Sequence, residues 1–251
     1  MHRYFIYFSY NGKNYHGWQI QPNASSVQQT LNEAMSRILR TPIETLGAGR
    51  TDTGVHASMM VAHFDVEQPL EDIPKLIYKL NSLLPFDIAV QNIRKVKQDA
   101  NARFAALSRT YKYYIGFNKN PFNTDSVYRV YTKNIDFKKM QQAADLLKLH
   151  TDFTSFSKLH TDVKTNNCTV MQAEWIQQDE DVWYFQYKAN RFLRNMVRAT
   201  VGTLLDVGIG KLSVQDFENI LNAKNRCLAG DSMPAHALFL VDIEYPDDIF
   251  E

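Results

Sequence analysis

Cysteine is scarce in this chain of 251 residues: Cys168 and Cys227 are the only two. Their number excludes a disulfide framework, and their spacing matches no metal site. A reducing cytoplasm is therefore the simplest home. No apolar run approaches the ~20 residues of a membrane-spanning helix, and no signal-like segment precedes the first strand-like run, so no membrane association is expected. With 10 glycines there is neither a phosphate-cradling Walker loop nor a dinucleotide fingerprint, which argues against a nucleotide cofactor. His56 and His63, seven residues apart, fit no zinc spacing. No metal and no cofactor are expected. Low-complexity linkers are also lacking, so no freely moving domain is expected.

The charge balance is equally spare, at +1, but it is unevenly divided. From residue 231 onward there are six acids (Asp231, Asp242, Glu244, Asp247, Asp248, Glu251) and no Lys or Arg, so the first 230 residues carry +7. Between Arg103 and Lys133 six basic residues face one acid, Asp125, and Lys188, Arg191, Arg194 and Arg198 form a second run free of acids. Such runs suit phosphate neutralisation, and equally a solvated charged face.

What the chain does have is apolar residues, 45% of the total, enough for a sizeable core in one large domain or two intimately packed halves. Arg3 to Tyr10, rich in aromatic and β-branched residues, reads as a strand followed by a long loop. Ser25 or Ser26 caps a helix carrying Val27, Leu31, Ala34, Met35, Ile38 and Leu39 at helical spacing, and Pro42 stops it. Ile43 to Leu46 and Met59 to Val66 read as strands, Pro74 to Leu83 as a helix and Ile88 to Val96 as a strand. Beyond residue 105, Tyr111 to Phe117 reads as a strand and Phe137 to Leu149 as an amphipathic helix. Val170 to Gln177 with Val182 to Ala189 reads as a hairpin, and Phe192 to Val207 as a long buried helix ended by Gly208 and Gly210. Ser213 caps a helix to about Ala223, and Leu238 to Glu244 forms a last strand. The mixture predicts an α+β architecture with a largely antiparallel sheet.

The stretch richest in chemistry is Gly49-Arg50-Thr51-Asp52-Thr53-Gly54-Val55-His56-Ala57, which sets a carboxylate beside a guanidinium in a glycine-bracketed turn. Glycine permits positive φ and close approach of a substrate to backbone. By itself this is either a reactive carboxylate or an ordinary Asx turn.

The run Gly47 to Ala57 resembles the signature of the tRNA pseudouridine synthase A family. Three further blocks agree in order: Tyr10 to Gln19 (Tyr-Asn-Gly-Lys-Asn-Tyr-His-Gly-Trp-Gln), Ser108 to Tyr113 (Ser-Arg-Thr-Tyr-Lys-Tyr) and Asn190 to Arg198 (Asn-Arg-Phe-Leu-Arg-Asn-Met-Val-Arg). The resemblance implies the pseudouridine synthase fold, with two ferredoxin-like halves forming one largely antiparallel central sheet and helices packed on it. Residues 1–105 would carry the Asp52 loop, residues 106–251 Tyr111 and Arg198, with the active site in the cleft between. It implies isomerisation of uridine at positions 38 to 40 of the tRNA anticodon stem-loop, without a cofactor, by a homodimer that shares one tRNA between subunits.

Residue by residue, the resemblance implies that Asp52 is the nucleophile, at C6 of the base or C1′ of the ribose. Arg198 would pair with it. Tyr111 would stack on the base and accept the C5 proton, and Arg50 would hold the flipped nucleotide. Arg109, Lys112, Arg191 and Arg194 would meet the RNA. Taken alone, Tyr111 is also a plain strand tyrosine, and Arg198 a surface arginine with a buried stem. Asn11, Lys13, Thr53 and Ala237 depart from the family pattern, and none removes a catalytic group. Two other functions fit less well: a non-catalytic module that binds or refolds structured RNA, and a carboxylate hydrolase, which would need a second acid at defined separation.

Overall fold

The computed structural model describes residues 1–132, 134–158 and 164–251; Lys133 of the first basic run lies outside them. In chain order the elements are β1 (His2–Tyr10), α1 (Val27–Leu39), β2 (Leu46–Gly47), β3 (His56–Val66), α2 (Ile73–Leu83), β4 (Ile88–Val96) and β5 (Ser108–Gly116). They continue as β6 (Tyr128–Arg129), α3 (Phe137–Leu146), β7 (Val170–Gln177), β8 (Val182–Ala189), α4 (Met196–Gly208), α5 (Val214–Ala223) and β9 (Leu238–Glu244). The architecture is mixed α+β, as the sequence leads one to expect. The chain divides into two compact units, Met1–Leu107 with Phe239–Glu251, and Ser108–Leu238.

In the first unit β1 is central, antiparallel to β3 on one side and to β4 on the other, and β2 adds to β3 in antiparallel register. The last strand joins β3 in parallel through His56↔Phe239 and Ala57↔Leu240. The sequence reading groups residues 106–251 as one half; these backbone bonds carry Phe239–Glu251 into the first unit instead. The consecutive residues Tyr4, Phe5 and Ile6 of β1 are all buried, with Phe8, so the middle of this central strand is covered on both faces. Ser26 caps α1 by accepting the Gln29 amide at 3.3 Å, and Asp72 caps α2 by accepting the Lys75 amide at 2.9 Å.

In the second unit β5, β8 and β7 form an antiparallel sheet in that order, with β6 added to β5 in parallel. Helix α3 packs on β7, α4 and α5. Almost every residue of α4 is buried, which fits its broad apolar stripe. A capping box between Ser213 and Asp216 starts α5.

Several boundaries differ from the sequence reading, β3 beginning at His56 rather than Met59 and β5 at Ser108 rather than Tyr111 among them, and three others change an element's extent or type. The strand expected at Ile43 to Leu46 shrinks to Leu46–Gly47, because side chains of α1 take its donors: the Ile43 amide donates to Ser36 Oγ (2.8 Å) and the Thr45 amide to Asn32 Oδ1 (3.1 Å). Helix α4 begins at Met196 rather than Phe192, since Asn195 before it adopts left-handed backbone at φ +68°. The helix expected to reach Leu149 stops at Leu146 and tightens to a 3₁₀ turn over Leu147–Leu149.

Candidate active site

Asp52 lies in the first unit, on a loop between β2 and β3 that the Tyr10–Trp18 segment clamps. The turn closes through the Val55 amide onto the Asp52 carbonyl (3.1 Å), with Gly54 at φ +78°. The Gly54 amide donates to the Tyr15 carbonyl (3.3 Å) and the Trp18 amide to the Thr51 carbonyl (3.4 Å). The Thr51 hydroxyl shares a 2.8 Å hydrogen bond with the Tyr10 phenol. Two glycines make the clamp feasible. A Cβ on Gly12 would lie 2.0 Å from the Val55 carbonyl oxygen, and one on Gly17, at φ +87°, would lie 2.3 Å from the Thr51 carbonyl oxygen. Gly47 is held just as closely, by the buried Trp18 indole.

His56, 2% exposed, ends the loop: its Nδ1 accepts the Gly12 amide at 3.0 Å, and its ring stacks on Phe239 with 4.5 Å between centroids. The histidine is therefore structural. Below the clamp, Asp87 accepts from the Tyr15 phenol (2.7 Å) and from Asn14 Nδ2 (3.1 Å), and its carbonyl accepts the Asn11 amide (2.9 Å). Burial, then the hydrogen bond to the Asp87 carboxylate, raises the Tyr15 pKa far above its ordinary value, so the phenol stays protonated and donates. Asn11, a departure from the family pattern, still accepts the Lys13 amide at 3.0 Å. On this base Asp52 is half-buried and Arg50 exposed.

The other six candidates lie in the second unit. Tyr111, on β5, stands opposite Tyr187 of β8 and is 9% exposed. Phe192 meets both rings edge-on, each at 5.0 Å, which explains why residues 192–195 are not helical: the chain turns back there to seal the aromatic group. Arg109 donates through Nη1 to the Asn190 carbonyl at 2.8 Å, and Lys112 Nζ lies 4.3 Å from the Tyr184 ring centroid. Arg194 is exposed and Arg191 half-buried. Burial pushes the Cys168 thiol up to about 11, against the opposing charge of Arg191.

Arg198 sits in the first turn of α4, half-buried, and its Nε donates to the Met233 carbonyl. The Met233 amide returns a 3.2 Å bond to the Arg198 carbonyl. The segment that receives it is itself fixed. Arg226 donates to the carbonyls of Ala229 (3.3 Å) and Gly230 (3.1 Å) and to Ser232 Oγ (2.9 Å), while a Cβ on Gly202 would overlap the Asp231 carbonyl. Sequence reasoning missed Asp87, Arg226 and this 229–233 segment. The Gly202 position inside an otherwise apolar helix is the one signal that something packs closely there.

Among the described residues, no group of three or more His, Cys, Asp or Glu side chains could hold a metal ion. Nor is any helix among them long and apolar enough to cross a membrane.

The family model described as tRNA pseudouridine synthase matches residues 6–105 and 143–246. The first match contains Arg50 and Asp52 and the second Arg191, Arg194 and Arg198; Arg109, Tyr111 and Lys112 fall between them. Relatives of similar length agree along the whole chain. The protein named tRNA pseudouridine synthase A of Bacteroides fragilis is 59% identical over 249 residues, covering 99% of this chain and 98% of its own. Its namesake in Parabacteroides distasonis is 57% identical over 250 residues, covering 100% and 98%. That of Limosilactobacillus reuteri is 40% identical over 256 residues, covering 98% and 97%.

Proposed function

Because this chain belongs to the tRNA pseudouridine synthase family, we propose that it converts uridine to pseudouridine at positions 38 to 40 of the tRNA anticodon stem-loop, with Asp52 as nucleophile. The chain is an isomerase that modifies tRNA. The proposal includes a homodimer, a reducing cytoplasm and no cofactor.

The reaction breaks the bond from N1 to C1′, turns the detached uracil and joins C5 to C1′. At C1′ the Asp52 carboxylate would displace N1 and be displaced in turn as C5 attacks that carbon; at C6 it would add to the ring and be eliminated after C5 has joined C1′. The C5 proton passes to the Tyr111 oxygen as the phenol hands its own proton on to solvent, and N1 regains a proton from solvent, so no atom is lost overall. A uridine in a stem must first leave the stack, at a cost of a few kcal/mol. Arg50, two residues before the nucleophile and exposed, would hold the nucleotide in that state. Arg198 would supply the counter-charge that keeps Asp52 ionised, and Arg109, Lys112, Arg191 and Arg194 would meet phosphates.

The observation that carries this reading is the clamp on the Asp52 loop, in which Gly12 and Gly17 admit backbone contacts no side chain would tolerate. Preorganisation of that degree serves a reacting group, whereas an Asx turn of no consequence needs none. The test uses tRNA tritiated at uridine C5, from which pseudouridine formation releases tritium. Asp52→Asn should bind tRNA within a few-fold of the parent while releasing no tritium, since phosphate contacts carry affinity. Parental release by the Asn variant would refute the role given to Asp52.

A further inference from the structure

The turn at residues 101–107 of the first unit displays an aromatic ring for which the chemistry at Asp52 has no use. Phe104 is 78% exposed and Leu107 53% exposed, yet the backbone beneath them is tied on every side. Asn101 Oδ1 accepts the amides of Arg103 (2.9 Å) and Phe104 (3.2 Å), and the Asn101 carbonyl accepts that of Ala105 (2.8 Å). Buried Ala102 donates its amide to His63 Nδ1 (3.2 Å) and receives the Tyr245 phenol on its carbonyl (2.7 Å). Arg3 Nη1 donates to the Ala100 carbonyl (3.2 Å), and the Leu107 amide to the Glu244 carbonyl (2.8 Å). A turn so fixed loses little further freedom when something docks on it.

The chemistry of the display is specific. The Arg103 guanidinium carbon lies over the Phe104 ring, 5.5 Å from its centroid, so a cation sits over one face of a ring that is 78% exposed. That combination matches a nucleobase with its phosphate: the ring stacks on the base and the guanidinium meets the charge. It matches a second protein copy poorly, because two exposed apolar side chains fall far short of the roughly 20–30 residues a side that stable protein interfaces use. Position adds a second point. His63, which anchors the turn, lies seven residues along β3 from His56, which ends the Asp52 loop. At about 3.3 Å per residue that is roughly 23 Å, too far for both features to touch one nucleotide.

We propose that Phe104, with Arg103 beside it, is a stacking platform for an unpaired tRNA base remote from the uridine under attack. The proposal rests on the reading of tRNA as substrate. It is tested by measuring the tRNA dissociation constant, KM, kcat and solution mass of the parent, Phe104→Ala, Phe104→Trp and Arg103→Gln, with thermal melts to verify folding. Phe104→Ala should bind tRNA about 5- to 150-fold more weakly, the loss of one stacked base. Phe104→Trp should restore binding, and the loss should fall on the dissociation constant and KM rather than on kcat. Unchanged affinity in Phe104→Ala overturns the platform, as does a loss confined to kcat. A change in solution mass overturns it in favour of a second copy on this ring. A parent that forms no pseudouridine refutes only the functional reading, and the binding comparison still decides the platform.

Discussion

Adding one methyl group at Gly17 should disable the enzyme without emptying its RNA site. The Cβ of Gly17→Ala would stand 2.3 Å from the Thr51 carbonyl oxygen and 3.2 Å from the Asp52 carbonyl carbon. Ordinary contact begins at 3.4 Å, so the Thr51 backbone must retreat by 1.1 Å or the Tyr10–Trp18 segment must yield as far. Either movement displaces Asp52, and a 1 Å misplacement of a reacting group costs about 10²-fold in rate. The φ of +87° adds strain of about 1–2 kcal/mol for a residue with a side chain. At roughly 2–4 °C per kcal/mol for a chain this long, that strain lowers the melting temperature by a few degrees. Gly49→Ala is the control, for no atom lies within 4 Å of its added Cβ and its φ lies outside the left-handed range. Tritium release under single-turnover conditions should therefore fall about 10²-fold in Gly17→Ala with tRNA affinity within a few-fold, while Gly49→Ala melts with the parent. Parental turnover by a folded Gly17→Ala protein would refute the claim that the clamp sets the geometry of Asp52.

Two further predictions follow from the same unit. Asp87→Ala, which removes the acceptor for the Tyr15 phenol, should lower kcat about tenfold with KM nearly unchanged, a partial version of the misplacement above; Asp87→Asn, which keeps an acceptor, should recover most of it, and equal kcat in all three would sink this role. Burial chiefly, and the charge of Arg3 in addition, hold the His63 pKa below its ordinary 6.5, against the pull of Asp65. The stability this contributes is complete above about 6.5 and declines as pH falls toward the folded-state pKa, because the unfolded chain takes up the proton first. Melts recorded from pH 7.5 to 5 should show a decline that His63→Gln flattens.

Legibility from sequence tracked how local each cause is. The bounds of β4, β7 and β8 and the caps Ser26 and Ser213 were readable because alternation and capping act within a few residues. The short β2 was not, because the competitors for its amides, Ser36 and Asn32, sit on a preceding helix. The start of α4 was not, because the left-handed Asn195 and the turn of Phe192 onto Tyr111 depend on β5. Among the candidate residues, motif resemblance singled out Asp52 in the first unit and Arg198 in the second. What holds them, Asp87 beneath Tyr15 and the Met233 carbonyl under Arg198, lies 35 residues away from each in the chain and carries no local pattern.

The first unit is assembled from two stretches far apart in the chain, Met1–Leu107 and Phe239–Glu251. Phe250 lies under the Arg94 guanidinium at 3.6 Å, Glu251 pairs with Lys95 at 2.6 Å, and Phe239 backs the histidine that ends the Asp52 loop. A ribosome translating this message therefore releases residues 108–238, one uninterrupted unit, before it has supplied the final pieces of the loop that it began some two hundred codons earlier. Asp52 is among the first residues made, yet its loop waits for Phe239 to stack on His56, so a chain cut before Phe239 would spare the second unit and still leave that histidine without its ring partner.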